Sequence, residues 1–382
     1  MPANFEQPGV LFTIAMFILM IGPLVFVHEM GHYLVGRLFG TKVESFSIGF
    51  GRQLAGWTDR RGTVWRLSLL PLGGYVKFAG DANAAGAGSD GLDEIPAGER
   101  HRYFAFKPLW QRALIVLAGP AINFLFAVII FAGFLFMMGN PTMPTLVGQV
   151  QEGSAAAEAG ILPGDTIVAL DGDRIDEWSE LTQRVVINPG NAMTVEVLRE
   201  GAPVTLSVTP KVIETIDRFG NRGRIGQMGV TSGGQYEVED VGLFESVGLG
   251  VEQTGAAVSQ MVSIFRQLIF GERSIKELGG PLKIGQLSGQ VGSEGAPSFI
   301  WFMAFISINL GFINLLPIPM LDGGHLALYA AEALRGGRPV PEKAQQWAFM
   351  GGFALVASFM LVVTVNDLAS FGLWGHVRGL FG

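Results

Sequence analysis

His28, Glu29 and His32 stand in the stretch VFVHEMGHYL, inside a run that is otherwise apolar enough for the middle of a membrane. The pattern is H-E-x-x-H, and histidines four residues apart share one face of a helix, so both imidazoles can bind one zinc ion. Glu29 is close enough to move a proton to and from a zinc-bound water without binding the metal. Each ionisable group costs about 2.5–3.5 kcal/mol at that depth, so three together predict a metal site.

A third protein ligand is expected, because a catalytic zinc site uses three ligands and leaves one position open. Asp322 is the strongest candidate, since it is the first charged residue after 24 uncharged residues that begin at Ser298. His28 follows 18 uncharged residues that begin at Val10, and a helix of that length rises about 27 Å. Both groups therefore arrive near the same boundary of a membrane. His325 is the second candidate for the third ligand, although a lone histidine is more often structural.

The composition indicates a membrane protein. Of the 382 residues, 49% are hydrophobic and only 15% are charged, and the mean hydropathy is +0.39. The net charge of -7 and the lack of a basic block argue against a nucleic-acid partner. Cysteine is absent, which excludes disulfides, thiolate ligands and a cysteine nucleophile, so a metal site must use His, Asp and Glu.

Four apolar stretches are long enough to cross a bilayer. They cover residues 10–34, 113–139, 298–321 and about 348–365. A cleaved signal peptide is the alternative for the first stretch, but it lacks a preceding basic residue and a following small-residue cleavage site. Pro317 and Pro319 should end the third helix just before Asp322 and free backbone groups near the site.

Basic residues predict the orientation of these spans. Eleven lie between the first and second spans and three between the third and fourth, whereas none precedes the first. We therefore expect both shorter connections to be cytoplasmic. The N-terminus, the C-terminus and the long middle segment are then extracytoplasmic, in a protein that crosses its membrane several times.

The middle segment begins as a compact β-rich module. Residues 166–170 are strand-like between the turn signals LPGD and LDGD, and MTVEVLREGAPVTLSVTP reads as a hairpin. This part resembles a PDZ domain over about residues 145–210, and an unrelated small β-domain is the alternative. Residues 243–270 have helical spacing and predict either an amphipathic helix near the membrane or a helix packed on the module.

The stretch VWRLSLLPLGGYVKFAG, residues 64–80, has strand character and contains the adjacent Gly73 and Gly74. It is apolar for a soluble loop. Two interpretations stay open at this point. It is either a hairpin that dips back against the spans, where protein or water must satisfy its backbone, or a hairpin on the surface.

The chain as a whole resembles the bacterial site-2 proteases, which are zinc metalloproteases of regulated intramembrane proteolysis of the sigma-E protease type. The resemblance rests on H-E-x-G-H in the first span, AGPAINFLFA at 118–127, the PDZ-like module, GGPLKIGQ at 279–286 and N-x-x-P-x-P-x-L-D-G at the third span. Some relatives carry two PDZ domains, and only one is found here, which puts a filter built on two domains in doubt.

The resemblance implies a role for each matching residue. His28, His32 and Asp322 would bind Zn2+, and Glu29 would be the catalytic acid and base. Substrate backbone would be held at the third span and at the re-entrant β element that residues 64–80 match, by Asn314, Pro317, Pro319, Gly73 and Gly74. That β element could add a strand to an unwound substrate. The implied substrates are membrane-spanning proteins, such as anti-sigma factors, or remnant signal peptides.

The predicted fold class is a polytopic α-helical membrane protein of four transmembrane helices, with a membrane-associated β-hairpin and an inserted extracytoplasmic PDZ domain of α+β type. The predicted parts are a first span at 1–36, a cytoplasmic connection at 37–112, a second span at 113–139, the PDZ domain at 140–212, a linker with an amphipathic helix at 213–297, a third span at 298–322, a cytoplasmic loop at 323–347 and a fourth span at 348–370. The oligomeric state stays open.

Two other functions compete with a protease. A membrane scaffold with a PDZ module leaves the four polar residues of the site without a purpose. A zinc transporter needs polar groups at successive depths of the membrane, whereas these cluster at one depth.

Overall fold

A computed structural model describes residues 8–80, 95–216, 222–235, 237–270 and 279–370. The helices are α1 Val10–Leu38, α2 Leu109–Met138, α3 Ala155–Ala159, α4 Trp178–Val186, α5 Leu243–Ile269, α6 Pro281–Glu294, α7 Ala296–Leu315, α8 Asp322–Leu334 and α9 Glu342–Ser370. The strands are β1 Val43–Thr58, β2 Val64–Phe78, β3 Asn140–Thr142, β4 Val147–Val150, β5 Thr166–Leu170, β6 Asp173–Arg174, β7 Met193–Arg199, β8 Ala202–Val208, β9 Lys211–Ile216, β10 Arg222–Gln227, β11 Val230–Ser232 and β12 Glu237–Glu239. Residues 133–246 form one compact unit, and the remainder forms another.

Helices α1, α2, α7 and α9 are each long and apolar enough to cross a membrane, which confirms the four predicted spans among the described residues. The third differs from its prediction, because α7 ends at Leu315 and residues 316–321 are not helical. Pro317 and Pro319 account for the break, since proline cannot donate the backbone hydrogen bond that a helix needs. Asp322 then begins α8 and is not the last residue of the span.

Strands β1 and β2 form an antiparallel pair that is longer than the predicted hairpin. Residues 43–48 pair with 74–78, residues 45–48 also pair with 64–67, and residues 53–58 pair with 64–68. Each strand bends near its middle, where Gly49, Gly51 and Gly73 have positive φ angles. The prediction placed the β element at residues 64–80 alone and therefore did not include β1. Phe50, Trp57 and Leu70 are exposed along the pair.

Helix α5 packs along two of the spans. Its Ala257 lies in one buried cluster with Phe131 of α2 and Ile308 of α7. At Gly250 the helices approach so closely that an added Cβ would lie 2.9 Å from the carbonyl oxygen of Val128. This packing favours the membrane-associated interpretation of the segment.

Helix α6 lies against the first half of α1 and was not predicted. The contact uses small residues, because an added Cβ at Gly289 would lie 2.5 Å from Thr13 Oγ1, and one at Gly292 would lie 2.8 Å from Met16 Cγ. Ser288 also donates a hydrogen bond to Met20 Sδ at 3.3 Å. Such close packing through small residues is common between membrane helices and leaves little trace in hydropathy. The prediction for residues 213–297 was a linker with an amphipathic helix, and the described residues of that range also include α6.

The unit at 133–246 is a small α+β domain. Four of its strands pair in the order β6-β5-β7-β8, and the predicted hairpin is β7 with β8, from Met193 opposite Val208 to Arg199 opposite Ala202. The unit extends past the predicted end at 212, because β11 pairs with β4 and β12 pairs with β3. Its buried core includes Ile167, Leu181, Val195 and Val197.

Candidate zinc site

The three residues predicted as metal ligands lie together, although they come from two distant parts of the chain. His28 Nε2 is 3.2 Å from Asp322 Oδ2, and His32 Nε2 is 3.5 Å from the same oxygen. The two Nε2 atoms are 3.3 Å apart. Both histidines are buried and Asp322 is partly buried. Among the described residues this is the group of histidines and carboxylates arranged to hold a metal ion.

These distances fit a tetrahedral zinc ion. Bonds of about 2.0–2.2 Å at tetrahedral angles put neighbouring ligand atoms about 3.3–3.6 Å apart. The chemistry of the three atoms fits as well. Asp322 Oδ2 is buried without a hydrogen-bond partner in the described part of the chain. His32 Nδ1 lies 2.9 Å from the carbonyl oxygen of Ile115, which can only accept, so a neutral His32 turns its Nε2 lone pair toward the other two. A cation is what such a convergence of lone pairs requires.

Helix α2 forms the wall behind both histidines, and two glycines let it come close. An added Cβ at Gly119 would overlap His32 Nε2 and lie 2.9 Å from His28 Cε1. An added Cβ at Gly31, on α1, would overlap the carbonyl oxygen of Ala118 and lie 2.9 Å from Ile122 Cγ2. The glycines of the H-E-x-G-H and A-G-P patterns are therefore steric requirements of the site.

Asp322 is delivered by the break between α7 and α8. An added Cβ at Gly324 would lie 2.6 Å from Pro319 Cα, and one at Gly323 would overlap the carbonyl oxygens of the end of α7. The two glycines thus let α8 turn tightly against the break. Met320 within the break has a φ of 93°, an uncommon backbone conformation for a residue other than glycine. Such strained residues cluster at functional sites.

Glu29 lies between the two histidines and strand β2. It is buried, and the backbone of Val76 contacts its carboxylate. Gly74 allows this approach, because an added Cβ there would lie 2.9 Å from both Glu29 Cγ and Val25 Cγ1. The β element therefore reaches Glu29 directly, an arrangement that the sequence did not specify.

A cavity of about 410 Å³ opens in front of the site. It is lined by residues from α1, β1, β2, α2, α7, the break and α8, among them Glu29, Gly73, Gly74, Asn314, Asp322, His325 and Tyr329. Pro317 and Pro319 lie in the break between α7 and α8 and are not among the residues that line the cavity. The ring of His325, the alternative ligand, packs on Phe349 with centroids 5.1 Å apart.

Sequence reasoning missed several residues around the site. Asn123 of α2 lies 3.1 Å from His28 Nδ1 through its amide nitrogen. Arg112 donates a hydrogen bond of 2.6 Å to Glu332 of α8, and its guanidinium group lies over the ring of Tyr329. The available signal was a polar side chain inside an apolar span, which Asn123 is. No pattern pointed to a pair separated by 220 residues.

A profile of peptidase family M50 matches residues 16–359 of the chain. This chain belongs to peptidase family M50. A relative from Agrobacterium fabrum that bears the name zinc metalloprotease is 42% identical to this M50 peptidase over 358 residues, covering 93% of this chain and 95% of its own length. Metalloprotease MmpA of Caulobacter vibrioides is 36% identical over 398 residues, covering 98% of this chain and 99% of its own.

The family membership confirms the resemblance to site-2 proteases, and with it a zinc metalloprotease embedded in a membrane. Membership of this family excludes the scaffold and transporter interpretations. Among solved structures, the PDZ domain of an SdrC-like protein from Listeria monocytogenes is similar to part of the chain, at 17% identity and a TM-score of 0.19, covering 25% of this chain and 90% of its own.

Proposed function

We propose that this M50 peptidase hydrolyses peptide bonds in or near membrane-spanning segments, with His28, His32 and Asp322 as zinc ligands and Glu29 as the catalytic acid and base. One observation carries the proposal. The three converging ligand atoms and Glu29 lie on and between α1 and the α7–α8 break, and both α1 and α7 are apolar enough to cross a membrane. A site placed there meets substrates inside or at the edge of the bilayer.

Zinc held by these three residues would act as a Lewis acid and would lower the pKa of the attacking water. The protein's residues do the rest. Glu29 accepts a proton from the attacking water and returns it to the leaving amine. Because Glu29 is buried between α1 and β2, it stays aimed into the cavity.

The substrate must be extended at the cut, because the amides of a helix are bonded internally. Gly73 and Gly74 line the cavity at the edge of residues 74–78, whose pairing partners run along 43–48. In this proposal a substrate segment unwinds beside Asn314 and pairs with that edge as an added strand. Pro317 and Pro319 act by keeping the break open.

We also propose which side of the membrane each part of the protein faces. The zinc site lies near the cytoplasmic boundary of the inner membrane, and both termini and the 133–246 unit are extracytoplasmic, as the basic residues predict. We assign that unit as an inserted PDZ domain that limits access by bulky extracytoplasmic domains. The proposed substrates are anti-sigma factors or remnant signal peptides, which the protease cuts in regulated intramembrane proteolysis.

Membrane proteomics tests this function in the cell of origin. A strain in which Glu29→Gln replaces the parent should accumulate single-span membrane proteins or remnant peptides that the parent strain removes. Gly22→Ala is the matched control, since Gly22 lies in the same helix with nothing within 4 Å of an added Cβ. Identical membrane proteomes in the Glu29→Gln and parent strains would contradict the proposed function.

A further inference from the structure

Asn123 is a fully buried polar side chain within the apolar helix α2, with a relative exposure of 0%. Its amide nitrogen lies 3.1 Å from His28 Nδ1, on the side of the imidazole opposite the proposed metal position. Its amide oxygen is buried and has no hydrogen-bond partner among the described residues. Leaving this buried acceptor unpaired beside the ring of the proposed ligand His28 is costly in an apolar helix. A hydrogen-bond donor for the Asn123 oxygen is therefore expected nearby.

The chemistry of His28 supplies that donor. Its Nε2 faces Asp322 and His32, and a neutral imidazole that binds metal through Nε2 carries its proton on Nδ1. Nδ1–H cannot pair with an amide NH2 group, since both donate. A half-turn of the Asn123 amide about its Cβ–Cγ bond exchanges nitrogen and oxygen in the same volume and gives Nδ1–H an acceptor.

The second histidine, His32, also has a hydrogen-bond acceptor at its Nδ1, and that acceptor is a backbone carbonyl oxygen. His32 Nδ1 donates to the carbonyl oxygen of Ile115, which lies about two turns before Asn123 on α2. Helix α2 thus meets the back of both rings. Ser307 of α7 donates a hydrogen bond of 2.8 Å to the backbone carbonyl oxygen of Asn123, which fixes α2 against α7 at this residue.

We propose that Asn123 is a positioning residue for the zinc site, whose amide oxygen accepts the Nδ1 proton of His28 and holds Nε2 toward the metal. The proposal rests on the proposed assignment of His28 as a ligand. Partners of this kind fix both the tautomer and the orientation of a metal-binding histidine, and losing one lowers metal affinity about 10–100-fold.

The test measures zinc affinity by competition with a chelating dye, on the full chain purified in detergent, for Asn123→Leu and Asn123→Asp. Leucine has a similar volume and no acceptor, so zinc affinity should fall about 10–100-fold. Aspartate keeps an acceptor oxygen and has no amide donor, so affinity should return to within a few-fold of the parent. Ser307→Ala is the control, because it removes the other hydrogen bond at Asn123 without touching His28.

Visible absorption of the Co2+-loaded proteins is the second readout, because it reports the geometry around the metal independently of activity. Asn123→Leu should alter the bands, whereas Asn123→Asp and Ser307→Ala should keep the parent's. If Asn123→Leu does not accumulate in the membrane, Asn123→Ala replaces it in the same comparison.

The outcomes separate this inference from the site it rests on. If Asn123→Leu binds zinc as tightly as the parent while His28→Ala does not, the inference is overturned and the ligand assignment stands. If Asn123→Asp is as weak as Asn123→Leu, the acceptor role is overturned. If His28→Ala also keeps the parent's affinity, the proposed site itself fails.

Discussion

At the scale of single residues, the candidate zinc site consists of three side-chain atoms whose lone pairs converge. His28 Nε2, His32 Nε2 and Asp322 Oδ2 stand 3.2–3.5 Å from one another. The H-E-x-x-H spacing and the count of uncharged residues were enough to predict this set from sequence. The contact at Asn123 was not predictable in the same way, because it depends on how two helices rotate against each other.

Removing Asp322 should cost the protein most of its zinc affinity. Structural zinc sites with four ligands bind with about 10–16 kcal/mol, so one ligand contributes about 3 kcal/mol, or about 100-fold in affinity. Zinc titration of purified Asp322→Ala measures this loss. Asp240→Ala, which removes an exposed carboxylate, is the control. An Asp322→Ala protein that binds zinc like the parent would remove Asp322 from the site.

Gly119→Ala should abolish zinc binding without preventing membrane insertion. The added methyl group would occupy the space of His32 Nε2 and crowd His28. Gly133→Ala lies in the same helix with nothing within 4 Å of its added Cβ and should bind zinc normally. Metal content of the two purified variants makes the comparison, and equal zinc in both would show that α2 does not approach the histidines this closely.

At the scale of elements, the site depends on how α8 and the β1–β2 pair are held against the spans. The proline break was predictable, because proline has a fixed effect on a helix. The length of β1, the packing of α6 and the tight turn into α8 were not. They depend on contacts between glycines and distant backbone, as at Gly289 and Gly324, which hydropathy and periodicity do not record.

The Arg112–Glu332 pair should hold α8, and with it Asp322, against α2. Its side chains are 17% and 10% exposed, and removing one partner of a well-buried pair costs about 3–5 kcal/mol, so partial exposure suggests about 2–3 kcal/mol here. Glu332→Gln should therefore lower thermal stability and cleavage rate. Arg112→Glu combined with Glu332→Arg should recover part of both, and a double variant no better than the single would argue against the pair.

The 133–246 unit should show a pH dependence set by Asp165. This buried carboxylate accepts hydrogen bonds from Arg199 and from the backbone of Leu162, and the Arg199 hydrogen bonds hold the pKa of Asp165 below its usual value. A lowered pKa gives stability that is present above the unfolded value of about 3.9 and is lost as pH falls through the folded pKa.

Hydrogen–deuterium exchange of the full chain tests this dependence. At pH 6–7, amides around β5 and β7 should be better protected in the parent than in Asp165→Asn, and the difference should shrink toward pH 3. Asp173→Asn, an exposed carboxylate paired with Arg184, is the control. A difference that stays constant across this range would show that the ionised carboxylate is not its source.

At the scale of the whole molecule, the sequence predicted four spans, a β-rich unit and a zinc protease, and family membership supports that class of protein. Long apolar runs and short metal motifs carry their meaning locally, so they can be recognised in one sequence. The division at 133–246 was less predictable, because β11 and β12 return to β4 and β3 from far along the chain.

The most direct test of the account separates metal binding from proton transfer in one purified protein. Zinc content and cleavage of a single-span membrane substrate would be measured for the parent, Glu29→Gln and His28→Ala. We expect Glu29→Gln to keep the parent's zinc and to lose at least about 100-fold in cleavage rate, while His28→Ala loses both. Cleavage by Glu29→Gln at the parent's rate would contradict the account.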